Sequence, residues 1–139
     1  MDDRVAAAIA NWAPRFTTNG VTAGDFERIT SGLASWDDWC AVWSAVAAEH
    51  ERLGRDAAAA GVDLVVAVGP DAIGIADGAA AAGRRAGEES VHVPDRAAAR
   101  ELLSEVLRPG DVVLVKASRS YGLELLAADL LAAGDGDAA

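Results

Sequence analysis

The sequence predicts an α/β protein, with a helical block at the N-terminus followed by a small three-stranded parallel sheet flanked by helices. Three observations lead there. Six of the seven aromatic residues fall within the first 43 positions, on segments with helical spacing. Beyond them come short β-branched runs, Val62–Val68, Val91–Val93 and Val112–Val115, with helix-like stretches between them. Strands that alternate with helices in this way form βαβ units, whose sheet is parallel.

Within the first block, Asp2–Trp12 reads as a helix ending near Pro14, because proline lacks the N–H that a helix interior needs. Gly20 and Gly24 mark a loop, and either Thr22 or Asp25 caps the short stretch Phe26–Ile29. Ser35 caps a longer helix, with Asp37 and Asp38 favourably placed against the dipole of its first turn. On that helix Trp36, Trp39, Cys40, Trp43 and Val46 share one apolar face, and the pattern runs on through His50 and Leu53 towards Gly61.

In the second block, Val62–Val68 is a nearly continuous apolar run closed by Gly69-Pro70, the pattern of a strand buried on both faces. Asp71–Ala82 follows as a helix weakened by Gly74 and Gly78, and Gly83 and Gly87 bracket a turn. Val91–Val93 is a brief strand. Asp95 caps a helix whose apolar face is Ala99, Leu102, Leu103, Val106 and Leu107, stopped by Pro109-Gly110. Asp111–Val115 is the third strand and Tyr121–Leu131 the last helix. The expected organisation is therefore a Trp-rich helical segment over 1–48, a Rossmann-like α/β domain over 49–133 and a disordered tail over 134–139.

Composition narrows the function. A net charge of −10 disfavours nucleic acid and anionic membrane surfaces, which need a basic patch. Cys40 is the single cysteine, so no internal disulfide forms and a reducing compartment fits best. The start Met-Asp-Asp-Arg has no apolar segment of a signal peptide, and the apolar runs are too short to span a bilayer. A cytoplasmic protein is expected.

Ligands of open α/β sheets bind beyond the carboxyl ends of the strands. Two such ends are legible, Gly69-Pro70-Asp71 and Lys116-Ala117-Ser118-Arg119-Ser120. The second puts an ammonium, a hydroxyl and a guanidinium before a helix N-terminus, and Lys116 is the only lysine in the chain. Two readings stand for Lys116, Ser118 and Arg119. They bind an anion or carboxylate, or Ser118 caps the helix while the cations pair with Asp111 or Glu124. The same stretch nearly matches the nucleophile elbow at Ser118-Arg119-Ser120-Tyr121-Gly122, but its first glycine is missing and no histidine follows residue 92. His50 reads as a half-exposed packing residue on a helix and His92 as a strand residue. With one cysteine far from both, no metal-ligand spacing results. No phosphate-cradling glycine motif occurs either.

Residues 50–133 resemble the C-terminal domain of the Mur ligases, in particular the branch that adds D-alanyl-D-alanine to a UDP-MurNAc-tripeptide in peptidoglycan-precursor synthesis. The resemblance is carried by Glu49-His50 with Leu53-Gly54, Ala60–Gly69, Ile75–Ala79, Val93–Arg96 and, most specifically, Arg108–Arg119 with Leu123-Glu124 behind it. The family usually has Gly where Ala117 stands here. The resemblance implies a supporting, substrate-binding role for Lys116, Ser118 and Arg119, and no catalytic residue. In the family, ATP and Mg²⁺ are bound in a central domain without counterpart in these residues, and the Asp-x-Tyr-Asn-Ala-Asn-Pro segment and first strands of the C-terminal domain are missing too. The implied partner is D-alanyl-D-alanine or a UDP-MurNAc-peptide, for a fragment without independent catalysis.

The first 48 residues resemble the helical N-terminal region of α/β-hydrolases of the dihydroxypseudooxynicotine hydrolase kind, through Asn11–Phe16, Asn19–Val21 and Trp36–Cys40. The alternative functional reading is a small interaction module that forms a homodimer through the Trp-rich helix. A hydrolase relationship is the third.

Overall fold

The computed structural model describes residues 2–18, 31, 35–117 and 122–136. The stretch Phe26–Ile29 and its two candidate caps lie outside the described residues. The described elements are α1 (Asp3–Thr18), α2 (Trp36–Ala59), β1 (Val65–Val68), a 3₁₀ turn (Pro70–Ala72), α3 (Ile73–Ala81), β2 (Ser90–Val93), α4 (Arg96–Val106) and α5 (Leu123–Gly136). They fall into two compact units, residues 1–46 with 117–122 and residues 47–116 with 123–139.

In the first unit α1 continues through Pro14 to Thr18, where the sequence led us to expect an end. One proline removes a single helical hydrogen bond, a cost of about 3 kcal/mol that the rest of a 16-residue helix tolerates here. Val5 and Trp39 are buried. Arg4 lies over the ring of Trp36, 5.1 Å from its centroid, and its guanidinium grips Asp2 at 2.8 Å. That contact holds the Asp2 carboxyl down at about 2. The start of α2 is a reciprocal capping box: Asp38 N–H donates to Ser35 Oγ at 3.1 Å, and Ser35 N–H donates to Asp38 Oδ2 at 3.1 Å.

The second unit holds the sheet. β1 and β2 pair in parallel, in the register Val65 to Ser90 and Val68 to Val93. Helices cover both faces, as the β-branched run of β1 requires. Ala67 packs with Ala72 and Ala76 on the α3 side, whereas Val66 and Val68 pack against Val93, Ala99, Leu103 and Leu126, with α4 and α5. β1 is shorter than the run that announced it, because Val62 is taken up in the closure beyond the end of α2. Its N–H bonds the Ala57 carbonyl while the Gly61 N–H bonds that of Ala58, a Schellman closure with Gly61 at φ 85°. α3 ends identically, Arg84 and Gly83 bonding Ala79 and Ala80 with Gly83 at φ 102°.

Gly74 and Gly78 are more than weak points of α3. A Cβ on Gly78 would overlap the Glu51 carbonyl, and one on Gly54 would overlap the Ile75 carbonyl and come within 2.7 Å of the Ala79 nitrogen. The glycines let α2 and α3 touch backbone to backbone.

The expected third strand is a correction. Among the described residues the sheet has two strands, and Val112–Val115 makes no ladder. Val112 is 96% and Leu114 85% exposed. An apolar run becomes a strand only by laying its N–H and C=O groups along an edge, and this run has no such partner among the described residues. The last helix is longer than expected, extending from Leu123 to Gly136.

Candidate functional site

Two strand ends were candidates, and the structure furnishes them differently. At the carboxyl end of β1, Gly69 donates its N–H to the Val93 carbonyl, and the chain then turns through Pro70–Ala72 into α3. Two histidines from different elements meet this turn. His50, on α2, has Nδ1 2.8 Å from the Asp71 carbonyl. His92, on β2, has Nε2 2.7 Å from the Gly69 carbonyl. A carbonyl only accepts, so the proton sits on Nδ1 of His50 and on Nε2 of His92. The two rings therefore adopt opposite tautomers when neutral. Both are partly buried, and each fixes one carbonyl of a three-residue span.

Behind the turn, the buried hydroxyl of Ser90 donates to the Ala76 carbonyl at 2.6 Å, tying α3 to β2. Arg84 reaches across to the Ala58 carbonyl at 3.2 Å and tethers the end of α3 to α2. Ahead of β2, the Arg85 guanidinium and backbone N–H both bond Glu89, each at 3.0 Å. These contacts hold the Glu89 carboxyl below the usual glutamate range, the side-chain bond contributing most.

The other candidate segment, which forms no strand, begins at a tight turn in which Asp111 N–H donates to the Arg108 carbonyl at 3.0 Å and Asp111 Oδ2 accepts from the Arg108 N–H at 2.8 Å. From there the chain runs mostly exposed to Lys116, itself an exposed residue. Ser118 and Arg119, the other two predicted binding residues, lie outside the described residues, as do Ser120 and Tyr121. Among the described residues, the structure thus gives Lys116 an accessible position and brings no second predicted binding residue to it.

The sequence alone reads His50 as a packing residue and His92 as a strand residue, and does not show their convergence on one turn. The signal was the β1–β2 register, which puts His92 beside Ala67 and so within reach of Gly69. A single sequence does not state a register. Among the described residues, no three His, Cys, Asp or Glu side chains gather as a metal site would require. No helix among them is long and apolar enough to cross a membrane.

The family model of the Mur ligase glutamate ligase domain matches residues 27–119, well over half of the chain, and its end falls at Arg119. A UDP-N-acetylmuramoyl-tripeptide–D-alanyl-D-alanine ligase of Mycobacterium leprae is 48% identical over 89 residues, covering 63% of this chain and 17% of that protein. The ligase of the same name from Mycobacterium tuberculosis is 42% identical over 102 residues, covering 63% and 19%. The chain thus spans less than a fifth of the length of these relatives. No solved structure matches it. The family match reaches back to residue 27, into the segment that sequence reasoning set apart, and the hydrolase resemblance of residues 1–48 gains no support from these relatives. The chain belongs to the Mur ligase C-terminal, or glutamate ligase domain, family.

Proposed function

We propose that these residues derive from the peptidoglycan-precursor ligase that adds D-alanyl-D-alanine to UDP-MurNAc-tripeptide. On this reading they keep part of the substrate-side domain and carry no catalysis of their own. The observation that supports it best is the extent of the match, which closes on the Lys116 loop while covering only 17–19% of the relatives' lengths. Lys116 supplies an accessible ammonium for a carboxylate of the dipeptide or of the UDP-MurNAc-peptide, and Ser118 and Arg119 add a hydroxyl and a planar cation. The cytoplasm, where a reducing environment leaves Cys40 as a thiol, is the compartment this reading implies.

ATP and Mg²⁺, which the family requires, find no fitting donor set in these residues. The sequence has no phosphate loop, and no carboxylate cluster forms among the described residues. Incubating the purified chain with ATP, Mg²⁺, UDP-MurNAc-tripeptide and D-alanyl-D-alanine tests the absence of catalysis. Phosphate release at the level of a protein-free blank is expected, and release above it overturns the proposal.

A second reading, self-association as an interaction module, is favoured by one observation, the exposed apolar run Val112–Leu114. The Trp-rich face of α2 is a poorer candidate, because Trp39 is buried and its ring lies 5.7 Å from that of Trp43. Sedimentation over a range of concentrations separates the two readings, since a mass that stays monomeric removes the second.

A further inference from the structure

We draw no further inference here: the strongest candidate, the exposed apolar run Val112–Leu114, is an apolar surface without a partner among the described residues, and nothing in the structure shows what covers it.

Discussion

Gly54 on α2 and Ile75 on α3 meet backbone to backbone, so closely that a methyl group on Gly54 would overlap the Ile75 carbonyl oxygen. Neither partner is the free end of a flexible side chain, so a Cβ at Gly54 forces the two helices apart. Alanine is the better helix former by about 1 kcal/mol, which offsets part of the cost. Overpacking of 1–3 kcal/mol, and more where backbone is struck, outweighs it. Gly54→Ala is therefore expected to destabilise the chain by about 2 kcal/mol in urea unfolding. Gly134→Ala, on α5 with open space around its Cα, serves as the control and should be neutral or slightly stabilising.

The two Schellman closures give a second expectation. Gly61 and Gly83 hold positive φ where an L side chain costs about 1–2 kcal/mol, yet a Cβ at either meets nothing within 4 Å. Gly61→Ala and Gly83→Ala should each lose about 1 kcal/mol by conformation alone. Gly61→Asn should recover part of the loss, because asparagine tolerates the left-handed region. Equal losses for Ala and Asn in thermal unfolding would contradict the assignment.

His50 and His92 give a third. Removing either ring takes one donor from the Gly69–Asp71 turn, a loss of about 0.5–1.5 kcal/mol per hydrogen bond, and the Gly69 carbonyl keeps its bond from the Ala72 N–H. Long-range ¹H–¹⁵N NMR of the imidazoles at a pH where they are neutral is the direct check. It should report an Nδ1-protonated ring for His50 and an Nε2-protonated ring for His92. The same tautomer in both would show that the two rings do not grip the turn as described.

The turn ahead of β2 is acid-sensitive through Glu89. Arg85 lowers its folded pKa below the unfolded value, so the contribution to stability is complete above the ordinary carboxylate pKa of about 4.3 and is lost as pH falls through the folded value. Glu89→Gln removes that dependence. Its stability relative to the parent chain should be lowest near neutral pH, and the gap should narrow as pH falls through the acid range. A gap independent of pH would place the effect elsewhere.

What the sequence disclosed and what it hid follow from the range of the interactions. Ser35 with Asp38 and Asp95 with Ala98 are contacts between residues three apart, so the caps of α2 and α4 were legible directly. The β1 run showed its burial on both faces through its composition. Gly74 and Gly78 looked like weak points because a single sequence shows the propensity cost of glycine and not the helix packed against it. Val112–Val115 has the composition of a strand, but composition does not supply an edge, and among the described residues none is paired with it. Lys116 stood out as the only lysine. The convergence of His50 and His92 on one turn depends on long-range packing and, for His92, on the strand register, neither of which a single sequence states.

The most direct test of the central claim is a ¹H–¹⁵N NMR titration of the chain with D-alanyl-D-alanine, in parallel with Lys116→Ala. The account predicts saturable shifts centred on Lys116 and the residues that follow it, weakened at least several-fold in the variant, whose unfolding midpoint should match the parent because the side chain is exposed. No shift at this loop, or the same titration in both proteins, would contradict a substrate-side role for Lys116.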